Sequence, residues 1–182
     1  ANANKLLARF LDTLSDDDIH LVSFDGGSLR NAIPREGNML IAVKNLASAF
    51  EKTNHLAEVI KAELSIADPL VNITITEEAG EEQCMSVSDT RRFTKAVLAT
   101  TNSVYRMSDA IPGLVETSSS LARIIVKEGK AQIQGLQRSS IESGKMDWNE
   151  ANPLDIGDGT IPASEGARVN PNFGFGIYYE QS

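Results

Sequence analysis

Asn38-Met-Leu-Ile-Ala-Val43, the stretch Leu46 to Leu64, and Val71-Asn-Ile-Thr-Ile75 decide the architecture. In the first, Met39, Ile41 and Val43 alternate with Asn38, Leu40 and Ala42, the two-residue period of a strand. In the second, Leu46, Ala49, Phe50, Leu56, Ala57, Ile60 and Leu64 form one long helical stripe. Each large side chain of that stripe contributes about 1.5–3 kcal/mol when fully buried, so the helix must lie on a sheet. In the third, Val71, Ile73 and Ile75 alternate again.

Working outward, Ala3, Leu6, Leu7, Phe10, Leu11 and Leu14 give a first helix that Asn2 caps. His20 to Phe24 reads as a strand that ends at the Gly26-Gly27 break. Phe93, Ala96 and Val97 suit a shorter helix capped by Ser88. Leu114 to Val126 and Ala131 to Gln137 flank the polar turn Lys127-Glu-Gly-Lys130 and predict a hairpin. The order helix, two strands, helix, strand, helix, two strands describes an α+β fold. It predicts a ferredoxin-like two-layer sandwich, a mostly antiparallel sheet with helices on one face, lacking its first strand. One more strand ahead of the first helix would make the order regular.

The composition narrows function. The 182 residues carry a net charge of −8, which disfavours a nucleic-acid partner because such binding draws on clustered Lys and Arg. With no apolar run near about 18 residues and no signal pattern, the expectation is a cytoplasmic protein with no membrane partner. Cys84 is the only cysteine, which excludes an internal disulfide and a thiolate zinc cage and points to a buried thiol.

From Met146 the character changes. Six acids stand against Arg168 alone, no helical stripe is present, and Phe173, Phe175, Ile177 and Tyr179 alternate with Gly174, Gly176 and Tyr178. This divides the chain at residues 1–146 and 147–182, the latter an irregular acidic tail ending in a strand.

Asn2-Ala-Asn-Lys-Leu-Leu-Ala-Arg-Phe-Leu11 and Val22-Ser-Phe-Asp-Gly-Gly-Ser-Leu-Arg-Asn-Ala-Ile-Pro-Arg-Glu36 resemble the lid domain of aminoacyl-histidine dipeptidases, relatives of carnosinase. Thr101-Asn-Ser-Val-Tyr-Arg-Met-Ser-Asp109, Gly113-Leu-Val-Glu-Thr-Ser118 and Gln137-Arg-Ser-Ser-Ile-Glu-Ser-Gly-Lys145 continue the likeness in order. The resemblance implies a two-domain zinc exopeptidase. A catalytic domain holds two zinc ions, and an inserted lid closes over the dipeptide substrate and builds a homodimer contact. It assigns substrate binding to Asn31 and Arg138. The amide of Asn31 can donate to a carboxylate and accept from an amine, and the fork of Arg138 suits a free carboxyl end. Residue by residue, the bland alternatives are a turn asparagine before Pro34 and a solvated surface arginine.

The departures are specific. The family's lid histidine, in a Gly-Gly-His-Ser-Gly stretch, is not present in this sequence, and neither His20 nor His55 stands in its place. Ser120 occupies a position where the family pattern has asparagine. Thr76-Glu-Glu-Ala-Gly80 is similar to a catalytic-domain motif, yet it falls between lid motifs and lacks histidine and aspartate partners, so Glu77 and Glu78 read as a solvated acidic loop closing the third strand. Hence the chain itself is expected to carry no catalytic residue, metal site or cofactor. Asn172 to Glu180 weakly resembles a strand of PorP/SprF-type outer-membrane proteins, though one strand cannot close a barrel. A different class of function, a stand-alone ferredoxin-like interaction module without catalysis, fits the same fold.

Overall fold

The computed structural model describes residues 1–79, 83–128, 130–141, 143–144, 159–162 and 174–180, the last two segments by their backbone. In chain order these form α1 (Ala3–Thr13), β1 (His20–Gly26), β2 (Glu36–Ala42), α2 (Leu46–Leu64), β3 (Asn72–Glu78), α3 (Val87–Ala99), β4 (Ser103–Met107), β5 (Val115–Lys127), β6 (Lys130–Ser139), β7 (Gly159–Pro162) and β8 (Gly174–Glu180). The strands make one sheet, β3-β8-β2-β1-β5-β6-β7, with β4 branching from β5. Every pairing is antiparallel.

The three helices start where asparagine or serine oxygens can accept backbone N–H groups. Asn2 accepts from Lys5 N and Asn45 from Ser48 N, at 3.3 and 3.1 Å. For α3 the cap is Ser86, not Ser88, because the Ser86 hydroxyl accepts from Asp89 N at 3.1 Å. Serine two residues apart gives the same signal in sequence, and only backbone geometry chooses between them.

The helices cover one face. Leu7, Phe10 and Leu11 of α1, Ala57 and Ile60 of α2 and Phe93 and Val97 of α3 join Leu21, Phe24, Met39, Ile41, Ile73 and Ile124 in one core. Phe24 and Phe93 meet edge to face with ring centroids 5.8 Å apart. Lys5 binds α1 to the end of α3: its ammonium donates to the carbonyls of Val97 and Leu98 at 2.7 and 2.8 Å and to that of Thr100. These are the carbonyls that a helix end leaves unpaired. Burial pushes the Lys5 ammonium below the ordinary lysine value. On the opposite face Cys84 is buried with Val22, Ala42 and Leu40.

Glu77 and Glu78 are exposed, and they are the last residues of β3 itself and not of the loop beyond it; the rest of that acidic run, 80–82, lies outside the described residues. The junction of 146 and 147 also lies outside them. The strand position that the sandwich asks for ahead of α1, between β2 and β3, is taken by β8.

Two strand ends and a helix start meet at Gly26-Gly27. A Cβ on Gly27 would stand 2.1 Å from the Ala122 carbonyl oxygen, and Gly27 has φ +77°. A Cβ on Gly26 would stand 1.8 Å from the Asn4 side-chain oxygen. Only glycine permits this crossing.

Gly27→Ala should therefore destabilise the chain by more than about 2 kcal/mol, since the left-handed conformation alone costs roughly 1–2 kcal/mol and a backbone clash adds to it. Gly113 has φ +80° with nothing within 4 Å of its Cβ, so Gly113→Ala should cost only about 1 kcal/mol. Urea midpoints compare the two, and equal losses would refute the crossing as the cause.

Arg9 and Glu63 join α1 to α2 through two hydrogen bonds of 2.7 and 2.9 Å, which hold the Glu63 carboxyl below the ordinary glutamate value. The contribution of such a pair is present above the unfolded glutamate value and is lost as pH falls through the lowered folded one. Arg9→Met should then be less stable than the unchanged chain at neutral pH and converge with it in acid. A constant difference across the titration would rule this out.

Candidate functional site

The site is built around a gap in the pairing of β5. This thirteen-residue strand pairs along one side with β6. Along its other side β1 covers Ile124 to Val126 and β4 covers Val115 to Ser119, which leaves a gap at Leu121. Asparagine side chains fill it. Asn2 and Asn4 each donate to the Leu121 carbonyl at 3.1 Å, and Asn102 accepts from Leu121 N at 3.1 Å and from Asn2 at 2.8 Å. The register of β5 against β6 slips between Leu121 and Arg123, so a bulge sits at the same place.

Beside this gap lies a cavity of about 420 Å³. It is lined by Val115, Ser118, Ser119 and Ser120 of β5, by Ser103 and Val104 of β4, by Leu136 and Arg138 of β6, and by Asn31, Ala32 and Ile33. The loop that carries Asn31 is pinned at both ends. Gly27 N donates to the Glu36 carbonyl at 3.1 Å, Ala3 N donates to the Pro34 carbonyl at 3.0 Å, and Arg123 donates to the Gly27 carbonyl and to Asp25. Arg138 stands opposite Ser118 in the β5–β6 ladder.

The two residues singled out from the sequence, 107 positions apart, thus line one cavity. Both are exposed. His20 and His55 are elsewhere: His20 Nδ1 lies 2.9 Å from the Met85 carbonyl, and His55 is exposed on α2. No group of three His, Cys, Asp or Glu able to hold a metal occurs among the described residues. No helix among them is long and apolar enough to cross a membrane.

Sequence reasoning singled out Ser120 only as a departure from the family pattern and missed Ser103 and Ser119. Ser120 Oγ is buried with no hydrogen-bond partner. Ser119 Oγ donates to the Thr101 carbonyl at 2.8 Å. Ser103 adopts φ 99°, a conformation non-glycine residues avoid and one that concentrates at functional sites. Arg106 and the buried Glu116, from two of the quoted motifs, form a 3.1 Å ion pair that ties β4 to β5 beside the cavity. An arginine and an amide between apolar walls, with serine hydroxyls beside them, can hold a small molecule with a carboxylate and a polar backbone.

Residues 1–70 match the peptidase dimerisation domain family. The chain carries a peptidase dimerisation domain. It is 35% identical over 153 residues to the cytosol non-specific dipeptidase of Escherichia coli (strain K12), covering 79% of this chain and 30% of that protein. It superposes on the crystal structure of aminoacylhistidine dipeptidase from Vibrio alginolyticus with a TM-score of 0.78 and 35% identity, covering 91% of this chain and 35% of that one. The chain is therefore homologous to dipeptidases and spans about a third of their length. That structure agrees with the α+β reading, an antiparallel sheet with helices on one face. Neither relative supports the likeness of the tail to outer-membrane strands.

An orphaned hydroxyl and a paired one respond oppositely to removal. Ser120→Ala should leave stability unchanged or raise it by up to about 0.5 kcal/mol, whereas Thr117→Val, which breaks the 2.9 Å contact with Ser139 Oγ, should lower it by about 1 kcal/mol. Thermal melts of both variants check this, and a destabilised Ser120→Ala would show that Ser120 has a partner.

Proposed function

We propose that this chain is the lid and dimerisation part of a zinc-dependent dipeptidase hydrolysing Xaa-His dipeptides. It contributes substrate closure and homodimer contacts, while two zinc ions and the general base belong to a catalytic domain. In this reading residues 1–146 are the lid, the protein is cytoplasmic, and residues 147–182 are an appended tail. The observation that carries it is the shared cavity of Asn31 and Arg138 in a chain homologous to dipeptidases.

Arg138 meets the carboxylate of the dipeptide through its planar fork, the group an exopeptidase must recognise. Asn31, on its pinned loop, accepts from or donates to the dipeptide's polar atoms. The apolar walls at Ile33, Val104, Val115 and Leu136 would exclude water and strengthen both contacts once a catalytic domain closed over the cavity. A zinc ion bound in the catalytic domain would supply an activated water. The described residues offer no ligand set for it.

Two outcomes test the reading. Chemical-shift titration of the chain with a histidine dipeptide should show weak binding centred on the cavity, and Arg138→Met should weaken it at least tenfold, the effect of losing a charge-assisted hydrogen bond of about 1.5–3 kcal/mol. Binding that ignores Arg138, or none at all, favours the stand-alone interaction module. The chain alone, given zinc or manganese, should release no histidine. Metal-dependent release abolished by Glu77→Ala with Glu78→Ala would instead make it an enzyme in its own right.

A further inference from the structure

β8 lies between β2 and β3 and is antiparallel to both, so β2 and β3 run parallel to each other. They are joined through α2, which makes β2–α2–β3 a crossover unit whose two strands are held one strand apart. The slot between them is seven residues long on each side: Glu36 to Ala42 pair with Glu180 to Gly174, and Asn72 to Glu78 pair with the same residues. Among the described residues, β3 has β8 as its single neighbour in the sheet.

The occupant comes from an unexpected place in the chain. β8 follows every other element in sequence, yet its last residue, Glu180, stands opposite Glu36, and two residues before Glu36 the Pro34 carbonyl accepts from Ala3 N at the start of α1. The end of β8 therefore comes beside the beginning of α1. A strand running directly into α1 would pass through the same slot in the same direction. Topology offers the slot to a segment ahead of α1, and a segment behind β7 fills it.

We propose that the slot between β2 and β3 is a strand-binding site and that β8 is its tethered, exchangeable ligand. The ligand class is an extended peptide with apolar residues at alternate positions. Phe175 is in register with Ile41, Ile177 with Met39 and Ile75, and Tyr179 with Ile73. Ile41, Met39 and Ile73 belong to the core beneath the helices. Gly174, Gly176 and Tyr178 hold the intervening positions. Main-chain hydrogen bonds to two open strand edges give affinity with little regard to sequence, and the alternate positions select the pattern. Tethering presents β8 at an effective concentration of order millimolar, so a free peptide competes poorly until β8 is disabled.

The test uses the full chain and a fluorescent peptide of residues 172–182. Ile177→Pro removes a ladder N–H in the middle of a strand paired on both sides and should expel β8. That variant should bind the peptide one to one and at least tenfold more tightly than the unchanged chain. No binding, or equal binding by both, overturns the proposal. A second variant covers the case in which Ile177→Pro does not fold: Cys84→Ser with Asn38→Cys and Tyr178→Cys, two register partners. Oxidation should give a bridge within one chain, and the bridged form should bind millimolar peptide at least tenfold less than its reduced form. Failure to form the intrachain bridge, or peptide binding that ignores it, likewise overturns the proposal.

Discussion

The carbonyl of Leu121 is the point on which the rest depends. It projects from a bulge in β5, between the strands that cover the two ends of that edge, and receives the amides of Asn2 and Asn4 together. An unpaired backbone carbonyl there would cost about 1–3 kcal/mol, so the bulge and the helix start require each other. Because α1 is held at its first turn, its apolar stripe falls on the sheet, Lys5 reaches the end of α3, and Ala3 N meets the Pro34 carbonyl. Glycine at 26 and 27 is the steric condition for the same crossing.

The cavity inherits its geometry from that crossing. One half is the loop of Asn31, set by Gly27, Pro34 and Arg123; the other is the ladder of β5 and β6, which sets Arg138 opposite Ser118. Stability and recognition fall only in part on different groups. Asn4 is fully buried, with its amide nitrogen paired and its side-chain oxygen left without a hydrogen-bond partner; Ser120 Oγ is orphaned too, Ser103 is strained, and Asn31 and Arg138 are exposed. Of these, the strained and exposed groups lining the cavity are the ones a ligand can reach.

How much of this was legible follows from what is local. The stripes of α1 and α2 were readable because a helix buries one face at a fixed period, and α2 begins and ends where its stripe does. β4 was not readable: all five residues are exposed, so Ser103 to Met107 carry no burial period to detect. β7 has four residues, too short for a pattern. The alternation of Phe173 to Tyr179 marks a strand but not its neighbours, because register with β2 and β3 is a property of residues more than a hundred positions away. Asn31 and Arg138 came from resemblance alone. An asparagine before an X-Pro pair and an arginine at a strand end are chemically ordinary, and only the assembled sheet brings them to one cavity.

β4 raises a last point about what covers it. Val104, Tyr105 and Met107, with Ile111 and Leu114 of the following turn, expose between 44 and 57% of their surface in one run of sequence, and Ile33 beside them exposes 61%. Contiguous apolar surface of this kind marks an interaction site more often than it marks a free surface. Local ties hold the hairpin in shape without covering it: the Arg106–Glu116 ion pair and the bond from Ser108 N to the Leu114 carbonyl at 2.9 Å. A strand stiffened from behind and bare in front is pre-organised for docking, since the ordering entropy of its backbone has already been met. The cavity opens on this same side, through Ile33, Val104 and Val115. In the proposed lid reading, the apolar rim that would meet a catalytic domain on closure would also be the rim that seals water out around Asn31 and Arg138.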